Sequence, residues 1–287
     1  MQSELTVQND LGMSLAEAIG VTSEQSKASN LPRVNIMHTG IMGEMEVNGK
    51  KIKTEVVSAG SYKVTLSEDN VVYTSKPLIR IFAVRQQLSK WDAAQEVMMK
   101  SVMATDLKGD LKDNMGTFNL GRPSGYIQDW SAVPEKTKDL IRSIKRKMII
   151  FGLIEAVDAT DEQGNPVEDL KEPTPFVLEL PPSSTKSFNN AMASLKRKNV
   201  LPIQYLFSVS TTEESMPNGN SFFVASFDGG SSVEVADQDH TILKDFVDYI
   251  NTTNSYILQQ WEEKHQETIA SEDASVVAEF VNVEEAD

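Results

Sequence analysis

Short runs in which apolar and polar residues alternate, separated by turn residues, fill most of the chain between residues 33 and 85. Alternation with a period of two is typical of β-strands that bury one face. The strongest local pattern is Asn48-Gly49 between "RVNIMHTGIMGEMEV" and "KKIKTEVV", because this dipeptide favours the tight turn of a β-hairpin. The pattern therefore predicts antiparallel strands from about residue 33 onward.

Helical spacing of apolar residues is found in three later segments. These are "VPEKTKDLIRSIKRK", "SSTKSFNNAMASLKRKN" and the long "DQDHTILKDFVDYINTTNSYILQQWEEKHQ". Strands and helices do not alternate along the chain, which disfavours a doubly wound parallel sheet. We predict a mainly β or α+β fold, with an OB-like (oligonucleotide-binding type) antiparallel β-barrel, inserted helices and a long C-terminal helix.

Four regions follow from these patterns. Residues 1–30 are predicted to form a flexible N-terminal arm, and residues 31–235 the OB-like core. A C-terminal helix is predicted over residues 236–265. The remaining segment, 266–287, contains seven Asp and Glu and no Lys or Arg, so we expect a disordered acidic tail.

The net charge of −15 is distributed unevenly along the chain. Residues 31–150 hold 19 Lys and Arg against 13 Asp and Glu, whereas residues 151–265 hold 7 against 18. A mildly basic first half joined to an acidic end indicates an anion-binding body with a competing or partner-binding tail. The alternative is that the acidic charge serves solubility alone.

Composition limits the chemistry and the location. The chain has no cysteine, so disulfides, thiolate metal sites and a cysteine nucleophile are excluded. No apolar run approaches the roughly 18 residues of a membrane-spanning helix, and the N-terminus lacks the basic and apolar regions of a signal peptide. We expect a cytoplasmic protein without membrane contacts, and a homo-oligomer is left open.

The stretch "DLKGDLKDNMGTFNLGRPSGYIQDW" (106–130) combines four aspartates with four glycines. The aspartates lack the spacing of a calcium loop and alternate with lysines, and the three histidines of the chain are scattered. The glycines match neither a phosphate loop nor a dinucleotide fingerprint, and no nucleophile elbow is present. We expect no metal, no cofactor and no enzymatic activity. A metal-dependent nuclease whose carboxylates converge in the fold is kept as an alternative.

Cationic and aromatic side chains are interleaved between residues 80 and 147. Binding of single-stranded nucleic acid needs both types, because cations neutralise phosphates and aromatic rings stack on bases. The alternative is that the aromatic residues belong to the core and that the cations near helix ends serve the helix dipole. The candidate nucleic-acid-binding residues are Arg80, Phe82, Arg85, Trp91, Lys108, Lys112, Phe118, Arg122, Tyr126, Lys145, Arg146 and Lys147.

The block "MATDLKGDLKDNMGTFNLGRPSGYIQDWSAVPEKTKDLIRSIKRKMIIFGLI" (103–154) resembles a segment found in a group of tailed-phage proteins, mostly from marine phages. From about residue 31 to residue 287, the overall plan is similar to phage single-stranded DNA-binding proteins, which have an oligonucleotide-binding barrel followed by an acidic C-terminal tail. Tails of that class often end with an aromatic residue among acids, whereas Phe280 here lies seven residues before Asp287. The resemblance implies DNA binding without catalysis.

Together, charge, spacing and resemblance predict a phage-type protein that binds single-stranded DNA without sequence specificity and acts in DNA replication or recombination. Arg and Lys would neutralise phosphates, aromatic rings would stack on bases, and the glycine-rich loop would close over the strand. The acidic tail would compete with DNA and recruit replication or recombination proteins. The chief alternative is a virion structural or assembly protein, such as a scaffold or accessory capsid component, because an acidic chain without a catalytic signature suits that role too.

Overall fold

The computed structural model describes residues 31–47, 50–93, 96–123, 127–216 and 219–284, with side chains described as far as residue 266 except for those of residues 45–50. The predicted N-terminal arm (1–30) and the Asn48-Gly49 turn lie outside the described residues. The strands of the described part are β1 (Arg33–Ile36), β2 (Ile41–Val47), β3 (Lys50–Val57), β4 (Tyr62–Thr65), β5 (Val71–Thr74), β6 (Leu78–Asp92), β7 (Val97–Lys100), β8 (Lys145–Glu155), β9 (Thr174–Leu180), β10 (Tyr205–Ser215) and β11 (Ser221–Ser232). Its α-helices are α1 (Glu135–Ser143), α2 (Thr185–Arg197) and α3 (Asp237–Glu284).

Nine strands form one sheet in the order β11-β10-β6-β8-β9-β1-β4-β5, with β7 paired to the far end of β6. Neighbouring strands are antiparallel except β1 and β9, which run parallel. Strands β2 and β3 form a separate two-stranded ribbon. The large mixed sheet and its inserted helices confirm the predicted α+β class.

The sheet does not close into the barrel that the sequence predicts. In the described part of the chain, β5 and β11 remain the two ends of the strand order. The sheet nevertheless curls, because the Tyr62 hydroxyl on β4 donates to the Ser210 carbonyl oxygen on β10 at 2.8 Å. The Thr211 hydroxyl likewise donates to the Gly60 carbonyl oxygen at 2.7 Å. Side-chain hydrogen bonds therefore replace the backbone ladder that a closed barrel would need.

The inside of the curled sheet holds the main hydrophobic core. Alternate residues of the long strands are buried there, among them Ile79 of β6 and Ile150 of β8. Helix α2 packs against this core through Phe188 and Leu195, and the Phe188 ring meets Phe227 edge to face at 5.3 Å between centroids. Each large apolar side chain buried in this way contributes about 1.5–3 kcal/mol to stability.

The opposite side of the sheet, which we call the helix-side face, is crossed by α3. Phe246 and Ile250 of the helix pack on Ala83 of β6 and Phe151 of β8. The Phe246 and Phe151 ring centroids are 5.9 Å apart. Because these contacts recur at the three- and four-residue spacing of a helix, one stripe of α3 is buried and the other faces solvent.

Hydrogen bonds from one of its side chains to main-chain groups also fix α3, at a segment that follows β7. The Asn254 side-chain oxygen accepts from the Met103 N–H at 2.7 Å, and its amide donates to the Met103 carbonyl oxygen at 2.9 Å. The side chain of Asn254 thus pairs with Met103 as the backbone of a neighbouring strand would.

The helix also extends further than the sequence predicts. We expected it to end at residue 265 and the chain to be disordered over 266–287, whereas helical backbone continues to Glu284. Val276 and Phe280 stand four residues apart in this segment, a spacing that suits a helix and that the acidic composition obscures. None of the helices in the described residues is long and apolar enough to cross a membrane.

Candidate nucleic-acid interface

The end of the sheet at which β7 pairs with β6 carries cationic side chains on the helix-side face. Ser89 of β6 is paired with Lys100 of β7 on one side and with Lys145 of β8 on the other. Paired residues of antiparallel strands point to the same side of a sheet, and neighbouring strands lie about 4.8 Å apart. Lys147 is two residues further along β8 and points to the same face. The strands thus bring together cations that are distant in sequence.

Two charged residues from the adjoining strands complete this cluster, Arg33 of β1 and Glu179 of β9. The Lys147 Nζ lies 2.5 Å from a Glu179 carboxylate oxygen. Burial lowers the pKa of Lys100; Glu179 opposes that shift, and Lys147 and Arg33 add to it. Three cations therefore surround one carboxylate at a half-buried position, which leaves an excess of positive charge.

Trp91 stands at the outer end of the same face. It lies two residues beyond Ser89 on β6 and is paired with Met98 of β7. The Trp91 side chain is 55% exposed and that of Met98 is 39% exposed. An exposed indole beside a row of lysines has the two properties that a single strand requires, a ring for a base and cations for the phosphates.

Arg122 and Arg146 form a second cationic group on the other side of the sheet. Arg146 is paired with Leu88, which is buried in a small core, so it points away from the helix-side face. Burial lowers the pKa of Arg122, and the nearby Arg146 lowers it further. The Arg122 Nε is buried and has no hydrogen-bond partner among the described residues. The two guanidinium groups are therefore close neighbours of like charge.

Arg80 and Phe82 do not belong to the exposed surface. The Arg80 guanidinium forms a two-pronged ion pair with Asp239 of α3 at 2.9 and 2.7 Å. Its Nε also donates to the Ile203 carbonyl oxygen at 2.6 Å. Phe82 is half-buried with its ring centroid 5.8 Å from that of Phe246. The predicted roles of Arg80 at a phosphate and of Phe82 on a base do not fit these positions, because α3 covers both.

Two further candidate residues, Arg85 and Lys108, lie on different elements of the described structure. Arg85 is half-buried on β6, paired with Ile149, and its guanidinium donates to the Val84 carbonyl oxygen at 2.9 Å. Lys108 is exposed at a turn in the loop that precedes α1. Tyr126 lies outside the described residues. Arg85 lies on the helix-side face, because its partner Ile149 packs there.

The glycine-rich loop between β7 and α1 is organised around Asp113, whose side chain is buried. The Asp113 carboxylate accepts hydrogen bonds from the N–H groups of Met115, Thr117 and Leu120 at 2.8–3.0 Å. The Thr117 hydroxyl donates to it as well, at 2.8 Å. A carboxylate that accepts four hydrogen bonds fixes the loop in one conformation.

Helix α3 holds the same loop from outside. The Trp261 Nε1 donates to the Thr117 carbonyl oxygen at 2.9 Å. The Lys112 Nζ lies 3.9 Å from the centre of the Trp261 ring, and the Phe118 ring centroid is 5.4 Å from it. Lys112 and Phe118 are thus engaged by the protein's own helix. The prediction that this loop closes over a nucleic-acid strand does not fit these contacts.

The four aspartates that raised the question of a metal site accept separate hydrogen bonds within their own loop segments. Besides Asp113, Asp106 accepts from the Lys108 N–H at 2.9 Å, and Asp129 accepts from the Ser131 N–H at 2.8 Å. Asp110 accepts from the Asn119 amide at 2.7 Å. Across the described ranges, no group of three or more His, Asp and Glu side chains is arranged to hold a metal ion.

Arg33 and Lys100 were missed by the sequence analysis. Arg33 stands alone before an apolar run, and Lys100 follows "VMM", so neither belongs to a cluster of cations along the chain. They join Lys147 only through the pairing of β7 with β6 and of β1 with β9. The sequence offers one signal for Lys100. It stands two residues after Met98, so in a strand the two side chains point to the same face.

No match to the chain was found among protein-family models, among curated proteins or among solved structures.

Proposed function

We propose that the protein binds single-stranded DNA without sequence specificity, using the exposed end of the helix-side face. The observation that carries this proposal is the exposed Trp91 at the end of a sheet face that also presents Lys145, Lys147 and Lys100. Stacking needs a base whose face is accessible, which a single strand offers and a duplex does not.

The binding has two parts. Lysine side chains neutralise phosphates and release condensed counterions, which supplies affinity for any sequence. The Trp91 indole stacks on a base, and because every base has a π-face this contact is also independent of sequence. Arg85 lies on the same face, and Arg122 with Arg146 offers a second anion-binding group on the other side of the sheet. The resemblance to phage single-stranded DNA-binding proteins implies a role in phage DNA replication or recombination. That role depends on the DNA binding proposed here.

The acidic end of the chain would regulate this surface. Residues 267–287 contain seven acids and no cation, so they are attracted to the same lysines as the DNA backbone. Competition of this kind weakens DNA binding at low salt and leaves the segment available to a partner protein once DNA has displaced it. A chain that ends at Gln266 should therefore bind oligonucleotides more tightly.

A fluorescence titration with an unstructured oligothymidylate tests the proposal. Plotted against the logarithm of salt concentration, the logarithm of the affinity should fall with a slope of about −0.7 for each phosphate neutralised. Lys145→Gln should make the slope shallower by about that amount, whereas Lys196→Gln, which removes an exposed lysine on α2, should not. The absence of binding at low salt, with or without residues 267–287, would contradict the proposal.

The β2–β3 ribbon favours a second candidate function, a virion structural or assembly role. Met42 and Ile52 on this ribbon are 60% and 49% exposed. Glu44 and Lys51 form an exposed ion pair at 3.0 Å on the same ribbon. Exposed apolar side chains on a two-stranded ribbon suit contact with another protein. Self-association without oligonucleotide binding would support this alternative.

A further inference from the structure

A small cavity lies between the flank of α3 and the strands β1, β9, β8 and β6. Its volume is about 150 Å³, and Phe151 and Ile149 supply part of its apolar wall. Uncharged and cationic polar side chains around it come from three strands, β1, β6 and β7, and from the helix, and they are Arg33, Asn35, Gln87, Lys100, Tyr249 and Thr253. Sites for small ligands commonly have this form, an apolar wall with a few converging polar groups.

The charge inside the cavity is unbalanced. Glu179 also lines it, but the Lys147 Nζ lies 2.5 Å from the Glu179 carboxylate and neutralises it. In the described part of the chain, no carboxylate forms an ion pair with Arg33 or Lys100. Lys100 is half-buried and Arg33 is exposed at the edge of the cavity. Two cations that face one cavity without an ion-pair partner repel each other, and an anion bound between them removes that repulsion.

We propose that this cavity binds a single phosphate group, held by Arg33 and Lys100 with the Asn35 amide as a further donor. A guanidinium presents its N–H groups as a fork that matches two phosphate oxygens, and an ammonium adds a point charge to the third. The pKa of Lys100 is lowered mainly by burial; Glu179 opposes this shift, and Lys147 and Arg33 add to it, so the lysine remains in a surplus of positive charge.

The position of the cavity connects it to the proposed DNA surface. Lys100 is paired with Ser89, and Trp91 lies two residues beyond Ser89, roughly 7 Å along the strand. A strand whose base stacks on Trp91 would bring a neighbouring backbone phosphate towards the cavity. Where the phosphate comes from DNA, the inference rests on the proposed function; where it comes from a free phosphorylated ligand, it does not.

The test is calorimetric titration of the full-length protein with inorganic phosphate, and in parallel with oligothymidylates that carry or lack a 5′-phosphate. The variants are Lys100→Gln and Arg33→Gln, and the control is Lys76→Gln, an exposed lysine in the turn between β5 and β6. Each of the first two should weaken phosphate binding about tenfold, and the control should leave it unchanged. Two independent variants keep the test valid if one of them fails to fold, which thermal unfolding would show.

The outcomes separate the sources of the phosphate. A parallel loss of affinity for both oligonucleotides assigns the cavity to a backbone phosphate. A loss confined to inorganic phosphate and the 5′-phosphorylated oligonucleotide assigns it to a terminal or free phosphate.

Two results would overturn the proposal: no saturable binding of phosphate by the unaltered protein, or equal affinity in Lys100→Gln, Arg33→Gln and Lys76→Gln. Phosphate binding without oligonucleotide binding would instead remove the proposed function and leave the phosphate site standing.

Discussion

Arg80 and Asp239 form a buried ion pair that joins the centre of the sheet to the first turn of α3. The two residues are 159 positions apart in the sequence, and two nitrogens of the Arg80 guanidinium each donate to a different Asp239 oxygen. The same carboxylate accepts from the Ala236 N–H at 2.7 Å. Asp239 therefore caps the helix and anchors it at the same time.

The substitution Arg80→Met should destabilise the protein by about 3–5 kcal/mol, because it leaves the Asp239 carboxylate buried without its partner. Urea unfolding measures this loss. Arg142→Met breaks an exposed pair with Glu135 on α1 and should change the free energy of unfolding little, because solvent screens the charges of such a pair. Since Arg80 lies beneath α3, the folded variant should bind oligonucleotide as tightly as the unaltered protein. Weakened binding by the folded variant would show that Arg80 contacts DNA after all.

Gly116 packs tightly against the backbone of α3. Its φ is +79°, and a Cβ there would lie 2.8 Å from the His265 backbone nitrogen. Gly116→Ala should therefore cost more than the roughly 1–2 kcal/mol of a left-handed conformation alone. Gly219→Ala isolates that conformational cost, because Gly219 has φ +84° with open space around it. Urea unfolding of the two variants measures the difference, and equal losses would mean that the loop moves away from the helix without cost.

Trp91→Ala should weaken oligonucleotide binding by about 1–3 kcal/mol, the usual contribution of one stacked base. Stability should change little, since the side chain is more than half exposed. Trp130→Ala is the matched control, because Trp130 is 43% exposed in the turn before α1 and does not belong to the strands β6, β7 and β8 that carry Trp91 and the lysines. Fluorescence anisotropy with a labelled oligothymidylate measures both variants. Equal losses of oligonucleotide affinity in the two variants would mean that the DNA does not bind specifically at Trp91.

Asp158 should give the protein a measurable dependence of stability on pH. Burial acts to raise the pKa of its carboxyl, but hydrogen bonds from Ser75 and Thr74 outweigh burial and hold that pKa below its usual range. A depressed pKa in the folded state adds stability above the unfolded value of about 3.9, and this contribution is lost as pH falls through the folded pKa. The difference in free energy of unfolding between the unaltered protein and Asp158→Asn should therefore shrink below about pH 4. A difference that stays constant down to pH 2 would contradict this assignment.

The parts of the fold that depend on neighbouring residues were predictable from the sequence. The β2–β3 pair around Asn48-Gly49 and the periodic segments of α1 and α2 were predicted correctly in kind. Whether the sheet closes was not predictable, because it depends on which distant strands meet. The parallel pairing of Val34 on β1 with Leu178 on β9 leaves no local trace in either strand.

The candidate site was likewise predictable from the sequence only in part. Lys145, Arg146 and Lys147 are consecutive, so their positive charge is visible in the sequence, but alternation along β8 sends Arg146 to the opposite side. Lys100 enters the site only through the register of β7 against β6. Arginine is a residue type that commonly binds DNA phosphates. Only the contact with the distant Asp239 shows that the charge of Arg80 is already neutralised by an ion pair.

The pairing of Asn254 with Met103 decides which backbone groups beside the sheet remain open to another molecule. Unpaired N–H and C=O groups beside a sheet can accept a strand from another molecule. One side-chain amide of α3 occupies those groups at Met103, where no further strand is added. A chain cut before α3 would expose this position together with the apolar surface that Phe246 and Ile250 cover. Such a fragment should aggregate through its sheet. We therefore infer that α3 keeps the sheet from pairing with other molecules.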